Sequence, residues 1–221
     1  MVVLKLIIVL LPWRLKRFVL VQFFKYEIHP SARIGLSWIY PKKLIMSSHS
    51  NIGHFNVAVN LGLIKIEQYS SIARGNWITG FPDDSNSQHF SHQPDRKSHL
   101  IMGQHSAITK NHHIDCTNTI QIGNFVTIAG YASQFLSHSI NIELNIQDSQ
   151  PITIGDYCFL GTASTVLGGA NLPSYSVLGA NSLLNKTFTT PYHLYGGNPA
   201  KEIKELPKDL KYFTREVGFV I

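Results

Sequence analysis

Histidine is the residue type of this chain best suited to proton transfer, and eleven of the 221 residues are histidines. A neutral imidazole beside a hydroxyl group can remove its proton near pH 7 as the oxygen attacks another group. Abundance alone selects none of the eleven. His138 stands apart because it ends the LSH of an LSHS sequence immediately before an interruption of a repeating pattern. His138 is therefore the candidate general base.

The two cysteines do not indicate a second reactive centre. Cys116 and Cys158 have no CxxC spacing, which excludes a zinc finger, and two cysteines cannot form a disulfide-rich scaffold. Cys158 falls at a small, inward position of the repeat, where packing is its simplest role. Nothing in the sequence around Cys116 supplies an activating context for a thiolate.

A repeat with a period of six residues must position these side chains. Neither a helix, with its 3.6-residue period, nor an alternating strand explains this spacing. Aliphatic residues stand six apart in one long run and in several shorter ones: Ile154, Leu160, Val166, Leu172, Leu178 and Leu184; Ile28 and Ile34; Ile66, Ile72 and Ile78; Ile108, Ile114 and Ile120; Ile122 and Ile128. A small residue lies two positions before many of these sites: Ala32, Ser50, Ser70, Ser106, Cys158, Ser164, Ala170, Ser176 and Ser182. We therefore predict a solenoid of six-residue strand-and-turn units, with three units in each coil of eighteen residues.

Two polar stretches, residues 81–99 and 139–150, interrupt the period. Loops that project from a rigid scaffold often carry binding groups, so both are candidate site loops. The period ends after Pro191. Residues 200–213 are predicted to form a short helix, broken at Pro207, that caps the last coil and protects an open sheet edge.

The charge balance and the N-terminus point to an anionic partner. The formal net charge is +6 and the pI is about 9.3, which favours phosphate, nucleic acid or a membrane surface. Nucleic acid is disfavoured because the basic residues are dispersed outside residues 13–25. Residues 2–11 form an apolar run about half as long as a membrane span, with basic residues following and no cleavage site for a signal peptide. Residues 1–25 therefore suit peripheral contact with a membrane interface, or alternatively an apolar cap on the domain.

The repeat, which covers most of residues 28–190, and the GGNPAKEIK sequence of residues 196–204 resemble the hexapeptide-repeat acyltransferases, which include galactoside and maltose O-acetyltransferases. The sequences HHIDCTNTIQIG and IAGYASQFLSHSI resemble the branch that acetylates sugars in capsule, O-antigen or exopolysaccharide assembly. The resemblance implies an all-β fold, a left-handed parallel β-helix (hexapeptide-repeat solenoid) with short N-terminal and C-terminal helical segments. It also implies a homotrimer with active sites between neighbouring subunits.

We expect three regions: an apolar-basic N-terminal segment at 1–27, the β-helix acyltransferase domain at 28–190 with its loops at 81–99 and 139–150, and a C-terminal cap at 191–221. The resemblance places the catalytic histidine before an insertion that ends in P-I-x-I-G, here residues 151–155, and so assigns the general base to His138. It implies acetyl-CoA as co-substrate and no metal. Six positions match family contacts with the coenzyme arm or its phosphates: Thr162, Ala180, Asn185, Lys186, Lys201 and Lys204.

The acceptor site is expected near the TKNHHIDCTN sequence, where Asn111, His113 and Asp115 are candidates to hold sugar hydroxyls. Two other interpretations of Asp115 remain open. Its carboxylate could orient His138 and raise the basicity of that imidazole, or it could form a turn.

The predicted function is transfer of acetyl from acetyl-CoA to a hydroxyl of a saccharide in a cytoplasmic protein, peripheral at the inner face of the membrane if residues 1–25 bind lipid. One alternative is a sugar N-acetyltransferase on the same scaffold, and another is a non-catalytic β-helix protein. A third is a zinc carbonic anhydrase, which needs three histidine ligands. His112 and His113 precede His138, but the position five residues after His138 is Glu143 rather than histidine.

Overall fold

The six-residue units fold into short strands that form the three faces of a parallel β-helix. The computed structural model describes residues 2–85 and 87–220. The first four coils contain β1 (Glu27–Ile28), β2 (Arg33–Ile34), β3 (Trp38–Tyr40), β4 (Lys43–Met46), β5 (Asn51–Ile52), β6 (Val57–Val59), β7 (Leu63–Ile66), β8 (Ser71–Arg74), β9 (Trp77–Thr79), β10 (His99–Met102), β11 (Ala107–Lys110) and β12 (His113–Asp115). The fifth coil contains β13 (Ile120–Ile122), β14 (Thr127–Ile128) and β15 (Gln134–Leu136), followed by a hairpin of β16 (His138–Asn141) and β17 (Ile146–Ser149). The last coils contain β18 (Ile152–Ile154), β19 (Phe159–Leu160), β20 (Thr165–Leu167), β21 (Asn171–Leu172), β22 (Val177–Leu178) and β23 (Leu183–Leu184), and the chain continues into β24 (His193–Gly196) and β25 (Lys201–Glu205).

Each coil contributes one strand to each face. Face 1 has the order β1-β4-β7-β10-β13-β18-β21, face 2 has β2-β5-β8-β11-β14-β19-β22-β24-β25, and face 3 has β3-β6-β9-β12-β15-β20-β23. The strands of successive coils pair in parallel. In the last coils Ile154, Leu160 and Val166 align with the residues eighteen positions later, which confirms the predicted coil length. Other coils are longer, as in the pairing of Met46 with Ile66, because their corners hold extra residues.

The predicted inward positions form the core. The six aliphatic residues of the long run, from Ile154 to Leu184, are at most 1% exposed. The small residues two positions earlier are buried too, and their hydroxyls satisfy corner carbonyls. Ser70 Oγ donates to the carbonyl of Gly103 at 2.6 Å, and Ser106 Oγ donates to that of Gly123 at 2.7 Å. Small polar residues therefore close the corners of the rod without leaving buried backbone acceptors unpaired.

Leu160 tests the energetic contribution of this core. Its side chain is fully buried between the aligned Ile128 and Leu178. We expect Leu160→Ala to lower the free energy of unfolding by about 2–5 kcal/mol, because a cavity adds to the lost apolar burial. Urea unfolding followed by circular dichroism measures the change. Ile142→Ala, at a side chain 89% exposed, should stay within about 0.5 kcal/mol, and equal losses in both variants would contradict the assignment of the core.

The predicted C-terminal helix is wrong. Residues 201–205 form β25, which pairs antiparallel with β24 after a turn at Gly197, whose φ is +100°. The alternation in KEIKE and the turn-forming GGNPA sequence outweigh the helix propensity of lysine and glutamate. The predicted covering role is met differently, because β25 is the outermost strand of face 2.

After β25 the chain turns back along the corner between faces 1 and 2. Seven aromatic rings stack along this corner with centroids 4.6–5.1 Å apart: His49, Tyr69, His105, Phe125, Tyr157, Tyr175 and Tyr192. The Arg215 guanidinium lies 5.8 Å from the ring centroids of both Phe125 and Tyr157. The C-terminal segment thus packs against several coils rather than only the last one.

Two helices, α1 (Val2–Leu10) and α2 (Trp13–Phe24), precede the first coil and are separated by Pro12. Ile8 and Leu20 are each 2% exposed and belong to the same core as the coils. Lys16 Nζ donates a 2.7 Å hydrogen bond to the carbonyl of Gly35, and burial lowers the pKa of this amine to about 8. The segment therefore covers the first coil. No helix within residues 2–85 and 87–220 has the length and hydropathy required to cross a membrane.

Candidate active site

Both insertions leave the rod at the same corner, between face 3 and face 1. The first connects β9 to β10, and the second, which contains the β16–β17 hairpin, connects β15 to β18. Their side chains join above the coils. The Gln93 amide donates to Asp148 Oδ1 at 2.8 Å and accepts a 2.7 Å hydrogen bond from Ser149 Oγ. The two candidate loops therefore form one structure around the end of β15.

His138 begins the second insertion and faces the carboxylate of Asp115. Asp115 ends β12, which pairs in register with β15, so the two residues belong to neighbouring coils. His138 Nδ1–H donates to Asp115 Oδ2, while Asp115 Oδ1 accepts bonds from the Thr117 amide at 3.1 Å and its hydroxyl at 2.7 Å. The imidazole is thereby held in one orientation, with Nε2 left to act on a bound molecule.

The electrostatics of this pair favour an ionised carboxylate and a more basic imidazole. Burial opposes ionisation of Asp115, but hydrogen bonds from His138 and Thr117 outweigh it and lower the pKa of the carboxyl group. The hydrogen bond to Asp115 raises the pKa of His138, against a smaller opposite effect of burial. The interpretation of Asp115 as the group that orients His138 matches this geometry. Asp115 also forms a local turn with Thr117, so that interpretation fits as well.

Two clefts meet at His138. The cleft that we call the aromatic cleft has a volume of about 340 Å³ and is bounded by Phe81, Phe90, His113 and Asp115 among others. The second, which we call the edge cleft, has a volume of about 270 Å³ and lies against Asn185. Because His138 lines both, a group bound in one cleft can react with a group bound in the other beside the same imidazole.

A buried arginine supports the aromatic cleft and was not predicted from the sequence. The Arg96 guanidinium is 4.8 Å from the ring centroid of Phe90 and 5.4 Å from that of Phe81. It donates to the carbonyls of Phe81 and Thr117, which ties the first insertion to the turn that holds Asp115. Phe81, Phe90 and Arg96 all lie within the polar stretch that interrupts the repeat, and that interruption is the only signal for them.

The predicted site residues divide between two corners of the rod. His138, Asp115, His113 and Asn185 line the clefts at the corner of the insertions. Thr162 and Ala180 lie at the corner between faces 2 and 3, and Asn111 occupies a left-handed turn there, with φ of 54°. These three line neither of the two clefts at His138.

The predicted lysines lie outside both clefts as well. Lys186 follows Asn185 and places its ammonium group 5.0 Å from the ring centroid of Phe188. Lys201 and Lys204 are exposed on β25. Their separation from His138 within one chain bears directly on how a long donor molecule could reach the imidazole.

Neither cysteine is available as a nucleophile. Cys116 and Cys158 are both fully buried and unpaired. Burial raises the pKa of the Cys158 thiol to about 12 and that of Cys116 well above its ordinary range. In the described ranges, no three histidine, cysteine, aspartate or glutamate side chains group closely enough to hold a metal ion.

Comparisons with known proteins agree with this architecture. Neither family profiles nor curated protein sequences match the chain. Among solved structures, a hexapeptide-repeat-containing acetyltransferase from Vibrio cholerae superposes with a TM-score of 0.51 and 23% identity, over 63% of this chain and 72% of that one. A polysialic acid O-acetyltransferase superposes with a TM-score of 0.51 and 18% identity, over 81% of this chain and 84% of that one.

These likenesses define the class of fold. The chain has the left-handed parallel β-helix of the hexapeptide-repeat acetyltransferases, as the sequence resemblance implied. The identities are low, so the comparisons establish the architecture.

Proposed function

We propose that the chain transfers an acetyl group from acetyl-CoA to a hydroxyl of a saccharide, with His138 as the general base. The observation that carries the proposal is the His138–Asp115 pair at the junction of two clefts. A direct transfer needs one site for each substrate and one base between them.

In the proposed reaction the acceptor oxygen attacks the thioester carbonyl carbon while His138 Nε2 takes the hydroxyl proton. Asp115 stabilises the imidazolium that forms, because its ionised carboxylate accepts the Nδ1–H bond. The tetrahedral intermediate then collapses, the carbon–sulfur bond breaks, and the coenzyme sulfur leaves with the proton from His138. Ester and free coenzyme are the products, so charge and atoms balance without a metal or covalent enzyme intermediate.

The aromatic cleft suits a sugar acceptor. Phe81 and Phe90 offer flat apolar surfaces for the faces of a sugar ring, and Gln147 and His113 at its lining offer polar groups for hydroxyls. The polysialic acid O-acetyltransferase with the same fold acts on a saccharide, as its name states. We propose an acceptor in capsule, O-antigen or exopolysaccharide assembly, which places the protein in the cytoplasm with residues 1–25 in peripheral contact with the membrane.

The divided coenzyme positions support a homotrimer. Asn185 lies at the corner of His138, whereas Thr162 and Ala180 lie at another corner of the same rod. A coenzyme held between two rods would touch one corner of each, so residues from two subunits would complete one donor site. The proposed trimer would contain three such sites.

Radiolabelled acetyl-CoA offered with glycan intermediates, lipid-linked saccharides and amino sugars tests the proposed function. We expect label in a saccharide product and its release by mild alkali, because an ester is alkali-labile and an amide is not. Alkali-stable label would replace the proposal with N-acetylation. Coenzyme binding without transfer to any acceptor would favour a non-catalytic scaffold.

Lys201 and Lys204 are proposed to approach the coenzyme phosphates. We expect the double variant Lys201→Gln with Lys204→Gln to raise KM for acetyl-CoA about 5- to 20-fold with little change in kcat, because charge attraction to the phosphates is lost. Initial rates at varied acetyl-CoA measure this. Lys208→Gln with Lys211→Gln, in the same C-terminal segment, is the matched control, and an equal rise in KM there would reject a specific contact.

A further inference from the structure

The two N-terminal helices carry an exposed apolar surface that nothing else in the described chain covers. Nine large apolar side chains of α1 and α2 are between 49% and 74% exposed: Val2, Val3, Leu4, Leu6, Ile7, Leu10, Leu15, Phe18 and Phe23. We call these nine residues the apolar helix surface. Single exposed apolar residues are ordinary, but a cluster of this size marks an interaction surface.

The helices that carry this surface are fixed to the rod. Ile8 and Leu20 are buried against the first coil, and Tyr40 Oη donates to the carbonyl of Lys5 at 2.9 Å. Arg17 Nη2 donates to the carbonyl of Ile28 at 2.6 Å. Because the inward sides of both helices are already packed, capping the first coil accounts for the buried residues and leaves the apolar helix surface unexplained.

The charges around the surface identify the partner. The first 26 residues contain five basic residues and no acidic one. Arg14 and Lys25 are exposed, while Lys16 is buried and held by the carbonyl of Gly35. A second copy docking through the same surface would bring Arg14 and Lys25 of both copies together without a counter-charge. An anionic surface with an apolar interior satisfies both the cations and the apolar side chains.

We infer that the apolar helix surface inserts into an anionic lipid bilayer, at the level of the headgroups and upper acyl chains, with the first coil nearest the lipid. This deepens the proposed function, because it defines where a membrane-linked acceptor must present its hydroxyl. His138 follows β15, which lies four strands from β3 in face 3. Neighbouring strands are about 4.8 Å apart, so the imidazole lies about 19 Å along the rod from the first coil. The acetylated sugar is therefore separated from its lipid anchor by intervening residues of a glycan or carrier.

Vesicle co-sedimentation of the full chain tests the inference. Vesicles of phosphatidylcholine with 30% phosphatidylglycerol are compared with vesicles of phosphatidylcholine alone. We expect Ile7→Gln with Leu10→Gln to lower the partition coefficient for anionic vesicles about 10- to 100-fold, because two inserted apolar side chains become polar. Arg14→Gln should lower it about 3- to 10-fold at low salt and much less in 0.5 M salt.

Matched and alternative outcomes are separable. Ile142→Gln with Leu144→Gln removes two apolar side chains of 89% and 66% exposure far from the helices and should leave vesicle binding within about twofold. Substitution is preferable to deletion of residues 1–24, which would also uncover the first coil. No vesicle binding by the unaltered chain, or equal binding by all variants, would overturn the inference. Concentration-dependent association in sedimentation equilibrium that is lost in Ile7→Gln with Leu10→Gln would instead identify a second copy as the occupant. Transfer to a soluble acceptor without vesicles reports the proposed function independently.

Discussion

Replacing His138 with alanine is expected to lower kcat for acetyl transfer about 10²- to 10⁴-fold while KM for acetyl-CoA changes less than about threefold. The imidazole lines both clefts and its Nδ1–H is bonded to Asp115, so its loss removes the base without removing either binding surface. The donor lies in the edge cleft in the proposed complex, and its contacts with Asn185 remain. Steady-state kinetics with radiolabelled acetyl-CoA separate the two parameters.

His29→Ala is the matched control for this variant. His29 contacts Ser31 at a corner of the first coil, four strands of the rod away from His138, so its loss should leave kcat within about twofold. Circular dichroism and a thermal melt verify that both variants are folded. If folded His138→Ala retains more than about a tenth of the activity, another group removes the proton and the proposed mechanism fails.

Asp115→Asn is expected to lower kcat about 10²- to 10³-fold and to move the acidic limb of the pH profile to lower pH. The active form of His138 is neutral, so activity rises as pH passes upward through its pKa. Asp115 raises that pKa, which places the limb of the unaltered enzyme above the ordinary histidine value of about 6.5. The amide cannot stabilise the imidazolium, and the remaining burial favours the neutral ring, so the limb shifts downward. A plot of kcat/KM against pH measures the shift.

Asp95→Asn provides the comparison, because Asp95 is an exposed carboxylate in the first insertion. Its profile should overlie that of the unaltered enzyme. A loss of activity in Asp115→Asn with an unmoved limb would mean that Asp115 only shapes the turn with Thr117. An unchanged kcat with a raised acceptor KM would instead return Asp115 to the role of a sugar ligand.

The sequence predicted the core well because the six-residue period is a local signal. Ile154, Leu160 and Val166 could be assigned to three faces by counting alone, and their alignment with the next coil followed. The shared corner of the two insertions was also within reach, because each follows the third strand of its coil. What counting could not supply was the length of each irregular corner, which determines the residues that become neighbours.

The site shows the same limit. Asp115 and His138 are 23 residues apart and meet only because β12 and β15 pair in register. Asn111 precedes that strand by two residues and turns to another corner, which spacing in the sequence did not reveal. The C-terminal error had a different cause, since KEIKE fits a helix by propensity and a strand by alternation. The partner strand β24 decides between them, and it lies in an irregular segment after the repeat.

The two buried thiols give the rod a means of reporting how it comes apart. Cys116 follows the third strand of the fourth coil, and Cys158 precedes β19 in the sixth. Each coil packs mainly on its neighbours, so a solenoid can lose its coils in sequence rather than in one step. Both thiols are fully buried, and a thiol-modifying reagent can reach either only after its own coil has opened. Mass spectrometry of pulse-labelled protein would therefore distinguish unzipping from one end from simultaneous opening, without any cysteine having to be introduced.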